Sequence, residues 1–327
     1  MAIRVLLPQP ILPAGYEYLH EHGYEVVDGR GFTEEDIIAD IGDCDAMIVR
    51  TAKITEKILD AAPKLKILAR HGAGYDGVDL QAARKHGVLV CTAGGANAIS
   101  VAELTIFYML YCSRNFKKVE KLYLEDYRKA KMGIPKTELE GKTLGLVGLG
   151  NIGKLVAKKA ALGFDMTVLA YDQYRNPALD GIVRYVDLDE LLRTADLISL
   201  HCPLTAETHH IINADTIKMM RDNAILVNTS RGGLIDTNAL IDALRARKFA
   251  GVGLDVYEDE DGQVFEDFSD DVLHNEVVPI LMSFPNVVVT SHQAFFTRTA
   301  LQSIAITTME NARAFARGEK LVNEVKG

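Results

Sequence analysis

Residues 143–153 read TLGLVGLGNIG, an apolar run that breaks into three glycines within six residues. A strand buried on both faces of a parallel sheet reads as a continuous apolar run, supplied here by Leu144, Leu146 and Val147. Gly148, Gly150 and Gly153, with Asn151 and Ile152 between them, then fit G-x-G-x-x-G. In that pattern the first glycine permits a tight turn, the second lets backbone approach a pyrophosphate, and the third lets a helix pack on its strand. The helix expected over about 152–162 directs its unpaired N–H groups at the phosphate. A second apolar strand, 167–171, ends at Asp172, 19 residues beyond Gly153. That is close to the ~20-residue offset of the acid that holds the ribose hydroxyls of a dinucleotide. Strand, glycines, helix, strand and acid in this order predict a dinucleotide site. Asp172 favours NAD, because its charge repels a 2′-phosphate; Arg175, close by in sequence, is the feature that argues for some use of NADP.

The 327 residues exceed what one hydrophobic core usually holds, which predicts two domains. A formal charge of -9 excludes a broad basic surface for nucleic acid or an anionic membrane. Cys44, Cys91, Cys112 and Cys202 are scattered without a C-x-x-C pair, so neither a disulfide framework nor a zinc site is expected, and no metal. The opening MAIRVLLPQPILPAG is interrupted by Pro8, Pro10 and Pro13, unlike the apolar core of a signal peptide, and reads as a strand ending in a turn. No stretch approaches the ~18 apolar residues that span a bilayer. Together these place the protein in the cytoplasm.

From residue 3 to 91 the runs IRVLLP, EVVD, AMIVR, KILAR and VLVC alternate with helical patterns, the signature of a doubly wound parallel layer. A long helix is expected from Ser100, with Glu103 at capping-box spacing, and its first half is apolar almost all round. A polar connecting arm, 126–142, leads to a second unit with six strand candidates: TLGLVG, MTVLAY, DLISL, AILVN, GVGLD and NVVVT. A last helix covers about 299–317. The fold class is therefore α/β, with two doubly wound parallel-sheet domains of Rossmann or flavodoxin type and a cleft between them.

Ligands of open parallel sheets bind beyond the carboxyl ends of the strands. Here AILVN is followed by Thr229, Ser230 and Arg231, GVGLD ends at Asp255 with VYEDEDG after it, and NVVVT leads to His292. DLISL leads to His201, Cys202 and Pro203, which are expected to line the cofactor with the residues just named. Chemistry beside a nicotinamide is hydride transfer, and a carbonyl that accepts hydride also needs a proton. His292 is the candidate acid for reduction and base for oxidation. A neighbouring carboxylate would stabilise its imidazolium, and spacing leaves Glu258, Asp259, Glu260 and Asp261 all open for that place. Arg231 offers a planar fork of donors for a substrate carboxylate and the carbonyl beside it. These roles describe a 2-oxo acid reduced to a 2-hydroxy acid.

The segments GKTLGLVGLGNIG, LHCPLTAETHHIIN, VNTSRGGLID, GLDVYEDE and NVVVTSHQAFFT follow one another in the order seen in the D-isomer-specific 2-hydroxyacid dehydrogenases, and the chain resembles that family over nearly its whole length. The resemblance implies a catalytic set of Arg231, Glu260 and His292, and it alone selects Glu260. It implies a substrate-binding domain of residues 1–99 plus 298–327, an NAD-binding domain of 100–297 inserted between them, and a homodimer built on the long helix and arm. It also implies that the turn Arg70, His71, Gly72, Ala73 and Gly74 binds the substrate carboxylate through backbone N–H groups, with His71 and Tyr75 narrowing the pocket. DVYEDE with its acidic continuation, LMSFPNV and HQAFFT look most like the fermentative D-lactate dehydrogenase branch. Ser291 replaces a frequent proline, and Cys91, Thr92 and Ala93 replace a frequent Asn-Thr-Pro. Hydroxypyruvate or glyoxylate reductases and phosphoglycerate dehydrogenases are the alternatives within the family. An NAD-sensing binding protein, as the related corepressors are, is the alternative outside enzyme chemistry.

Overall fold

The computed structural model describes residues 2–258, 260 and 277–325. The chain divides into two compact units, one of residues 1–99 and 295–327, the other of 100–294. The second crossing thus falls at 294/295, against 297/298 expected from the sequence.

The first unit holds a five-stranded parallel sheet of β1 (Arg4–Leu7), β2 (Glu25–Asp28), β3 (Ala46–Val49), β4 (Ile67–Arg70) and β5 (Leu89–Thr92), in the order β2-β1-β3-β4-β5. These are the five apolar runs read from the sequence. Helices α1 (Pro13–Glu21), α2 (Glu34–Ile41), α3 (Glu56–Asp60), α4 (Leu80–Lys85) and a C-terminal helix (Arg298–Ala316) flank the strands. The sheet is buried on both faces, one packed around Met47, Leu68 and Val90 and the other around Val5, Ile48 and Met309.

The second unit begins with α5 (Ala98–Ser113), α6 (Phe116–Glu125) and α7 (Tyr127–Met132). The single long helix expected from Ser100 is therefore corrected. Asn115 adopts φ 51°, a left-handed conformation asparagine tolerates better than most residues, and ends α5 there. Ser100 is not a cap; its Oγ donates to the Ala294 carbonyl at 2.5 Å. The polar arm is itself partly helical, as α7. Seven parallel strands follow: β6 (Thr143–Val147), β7 (Thr167–Tyr171), β8 (Arg184–Tyr185), β9 (Leu197–Leu200), β10 (Ala224–Asn228), β11 (Phe249–Leu254) and β12 (Val287–Val289). Helices α8 (Gly153–Phe164), α9 (Leu188–Thr194), α10 (Ala214–Met219), α11 (Thr237–Arg245) and α12 (Val277–Ser283) connect most of them. Their order is β12-β11-β10-β9-β6-β7-β8, so the chain reverses direction around β6, where open α/β sheets bind dinucleotides. The sequence reading missed β8, which is two residues long and carries a polar arginine. Among the described residues no helix is long and apolar enough to cross a membrane.

Candidate functional site

At the end of β6, Gly148 has φ 98°, and a Cβ there would stand 2.6 Å from the Cys202 nitrogen. The turn is thus closed to any other residue by conformation and by the neighbouring strand end. A Cβ on Gly153 would meet the Gly148 carbonyl oxygen at 2.2 Å, so the first turn of α8 rests directly on the loop. Gly150 differs: a Cβ there would find nothing within 4 Å. It faces open space at the start of a helix that no side chain caps, which is the cradle an anionic pyrophosphate fits. Asn151 accepts a hydrogen bond from Lys154, and Ile152 packs partly buried on the core beneath. Asp172 accepts from Leu149 N at 2.6 Å and from Tyr174 N at 2.8 Å, so its carboxylate is fixed beside the glycine turn. Arg175 is paired with Asp180 at 3.0 Å and lies over the Tyr185 ring. The donor set suits NAD, whose ribose Asp172 would hold.

Beyond β9, His201 turns inward. Its Nε2 shares a hydrogen bond with Ser199 Oγ at 2.9 Å, its Nδ1 is buried without a partner among the described residues, and burial pushes its pKa down to about 3. Burial likewise pushes the Cys202 thiol up to about 11. Neither is poised for proton transfer or nucleophilic attack near neutral pH. The Cys202 carbonyl accepts from Ser230 Oγ, and the exposed Pro203 carbonyl from Thr208 Oγ1.

The turn after β10 is held by Asn228, a buried residue that sequence reasoning passed over. Its side chain accepts from Ser230 N and donates to the Arg231 carbonyl, fixing the backbone that carries Arg231. Thr229 shares a hydrogen bond with Thr105 of α5 at 2.9 Å, and Arg231 Nη1 donates to the Ser230 carbonyl. A Cβ on Gly232 would lie 2.0 Å from the Tyr257 carbonyl oxygen, so this turn runs hard against the segment leaving β11.

That segment carries the second and third groups. Asp255 is 1% exposed, and its carboxylate accepts from Thr290 Oγ1, Gln293 N and Ala294 N, while its carbonyl accepts from His292 N. Asp255 thus shapes the loop after β12 from inside, rather than presenting its carboxylate to a ligand. Within that loop His292 takes φ 50°, a strained conformation for a histidine. Its Nδ1 meets Glu260 Oε1 at 2.9 Å; the Glu260 side chain is 11% exposed and the imidazole 40%. A buried carboxylate thereby orients a half-exposed imidazole by one ring nitrogen. Glu258 points elsewhere, to His210; Asp259 and Asp261, the other two candidates, lie outside the described residues. Tyr108 of α5 hydrogen-bonds Thr290 and extends the network behind His292. Sequence reasoning missed it, because a tyrosine in an apolar helix carries no signal of which strand end it touches.

In the other unit, the turn after β4 is pinned by His71 N to Val49 O and by Ala93 N to Gly72 O, both at 2.8 Å. Among the described residues the N–H groups of Ala73, Gly74 and Tyr75 donate to no acceptor. His71 has its pKa pushed down to about 4, by burial first and then by the positive charges of Arg50 and Arg70. Thr308 Oγ1 lies 3.4 Å from its Nδ1.

Residues 106–294 match the family model described as D-isomer specific 2-hydroxyacid dehydrogenase, NAD binding domain. A hydroxypyruvate reductase of Thermotoga maritima is 41% identical over 285 residues, 87% of this chain and 89% of the relative. A D-3-phosphoglycerate dehydrogenase of Methanocaldococcus jannaschii is 37% identical over 329 residues; the match takes in 99% of this chain but only 59% of that relative's length. Among solved structures, a D-lactate dehydrogenase of Aquifex aeolicus complexed with NAD and lactic acid superposes with a TM-score of 0.87 at 31% identity, covering 99% of both chains.

Proposed function

The chain belongs to the D-isomer specific 2-hydroxyacid dehydrogenases, a family of NAD-dependent oxidoreductases, and on that premise we propose that it reversibly reduces a small 2-oxo acid to the D-2-hydroxy acid, with pyruvate and D-lactate as the pair. The observation that carries the reading is the contact between His292 Nδ1 and Glu260 Oε1. NAD in its reduced form supplies the hydride. The residues of the chain do the rest. Arg231 binds the substrate carboxylate through its fork of donors and polarises the adjacent carbonyl. His292, as imidazolium, gives its Nε2 proton to the carbonyl oxygen, and in the reverse direction takes it back. Glu260 stabilises the imidazolium and fixes the tautomer. The unpaired N–H groups of Ala73, Gly74 and Tyr75 receive the carboxylate in the substrate-binding domain. The turn that Gly148 and Gly153 make possible presents Gly150 to the pyrophosphate, Asp172 takes the ribose, and the strand-end residues 202–203 and 229–230 line the cofactor.

A second reading has a specific observation behind it. Arg50 and Arg70 both act on His71, and this density of positive charge at the ends of β3 and β4 suits a substrate with a second anionic group, such as a phosphorylated hydroxy acid. A homodimer in a cytosolic setting accompanies either reading. Phe107 and Leu110 of α5, Phe116, Tyr123 and Leu124 of α6, and Tyr127 and Met132 of α7 are exposed, and a second copy of the chain is the cover we assign to them.

The test is the loss of nicotinamide absorbance when purified protein and NADH meet pyruvate, hydroxypyruvate, a branched 2-oxo acid or phosphohydroxypyruvate. Fastest turnover on pyruvate with a D-lactate product supports the first reading, and preference for phosphohydroxypyruvate the second. Silence on all four with NADH still bound favours an NAD-sensing protein.

A further inference from the structure

Outside the residues assigned to catalysis, the second unit gathers His209, His210 and Glu258, whose candidate ligand atoms all lie within 4.8 Å of one another. His210 Nε2 meets Glu258 Oε1 at 2.6 Å, and the two imidazoles stack at 3.9 Å between centroids. The backbone holds this arrangement in place. His210 sits at φ 52°, in the left-handed region. Its N–H donates to the Gly233 carbonyl at 2.9 Å, and its carbonyl accepts from Asn213 Nδ2 at 2.9 Å. His209 N donates to Thr205 O at 2.9 Å, closing the turn that carries its ring. Glu258 is fixed on its other oxygen by Thr237 N at 3.3 Å, the start of α11. Two imidazoles and one carboxylate therefore converge from two chain segments, 209–210 and 258, on backbone already held in position.

We propose that His209, His210 and Glu258 form a binding site for a divalent zinc ion, which ties the 205–211 loop to the segment leaving β11. Two imidazole nitrogens and a carboxylate oxygen are a donor set zinc accepts readily, with water as the fourth ligand. Bonds of about 2.0–2.1 Å in a tetrahedron put ligand atoms about 3.3 Å apart. The His210–Glu258 pair then opens by well under 1 Å, and the exposed His209 ring closes by a rotation. Zinc replaces the hydrogen bond between His210 Nε2 and Glu258 Oε1, since a ligating imidazole nitrogen must be free of its proton. The ion sits next to functional backbone without joining it: Gly232 is packed on the Tyr257 carbonyl, and Glu260 is two residues beyond Glu258. Occupancy consequently braces the Arg231 turn against the Glu260 turn. The proposal stands independently of which substrate is reduced, and of whether any is.

The experiment is a zinc titration of the untagged, chelator-stripped full chain, read by competition with a chromophoric chelator and by the melting temperature. The expected result is one saturable zinc per chain and a rise in melting temperature. His209→Ala removes an exposed ligand and leaves the fold intact; it is expected to weaken zinc binding at least tenfold and to abolish the thermal shift. His210→Asn, in which asparagine keeps the left-handed backbone, should give the same loss. Absence of a saturable site in the wild type overturns the proposal. So does zinc binding that either variant leaves unchanged, because the ion then sits elsewhere.

Discussion

His292 Nδ1 lies 2.9 Å from Glu260 Oε1, with the carboxylate buried and the imidazole half exposed. The arrangement occupies Nδ1 with the carboxylate and leaves proton exchange with a substrate to Nε2. His292→Ala should lower kcat by about 100-fold or more, the usual worth of general acid–base catalysis. Glu260→Gln keeps a hydrogen-bonding partner and loses the charge, and is expected to cost on the order of tenfold in kcat with a smaller change in KM. Steady-state kinetics on the preferred 2-oxo acid checks both; full turnover by His292→Ala would remove the histidine from its role.

Much of this site was legible because parallel sheets write themselves plainly into sequence. Buried strands appear as apolar runs, and the residue after each run lies at the ligand edge, which is how Arg231 and His292 stood out. Local spacing does not report what depends on side chains meeting across the fold. It left four carboxylates open beside His292, and only the resemblance to a family selected Glu260. It gave no sign that Asn228 braces the Arg231 turn, that Tyr108 backs Thr290, or that His201 and the Asp255 carboxylate turn inward. The break at Asn115 was hidden for a related reason. The apolar pattern runs through it, and only the left-handed backbone marks the end of α5.

Asp172 is anchored by Leu149 N and Tyr174 N beside the glycine turn, while Arg175 is drawn to Asp180 and the Tyr185 ring. This arrangement predicts a strong preference for NADH over NADPH. Asp172→Ala should raise the KM for NADH about tenfold and narrow the gap between the two cofactors, since it removes both the ribose acceptor and the repulsion of a 2′-phosphate. Equal wild-type rates with NADH and NADPH would take Asp172 out of its assigned role.

The glycines of one fingerprint should respond differently to the same methyl group. Gly153→Ala drives Cβ to 2.2 Å from a backbone oxygen, so it is expected to destabilise the fold by a few kcal/mol through backbone displacement. Gly150→Ala meets nothing within 4 Å. It should keep the wild-type melting temperature within about 2 °C and still bind NADH at least tenfold more weakly, because the methyl fills the space the pyrophosphate needs. Thermal melts paired with NADH fluorescence titrations separate the two effects. Unchanged NADH affinity in a folded Gly150→Ala protein would contradict the cradle.

Burial depresses two histidines, His71 to about 4 and His201 to about 3, so both are neutral in the folded chain where an unfolded chain would protonate them. For a group with a lowered folded pKa, the unfolded state binds more protons between the two values, and unfolding free energy therefore rises with pH in that window. The stabilisation is complete above the ordinary histidine value of about 6.5 and is lost as pH falls from there toward 4 for His71 and toward 3 for His201. Between pH 7.5 and pH 5 each histidine accounts for roughly 2 kcal/mol of lost stability at most. Urea midpoints across that range should fall steadily in the wild type. His71→Asn, which removes the titrating ring from one unit, should flatten its share of the slope, and a slope unchanged in that variant would show that His71 already carries its proton when folded.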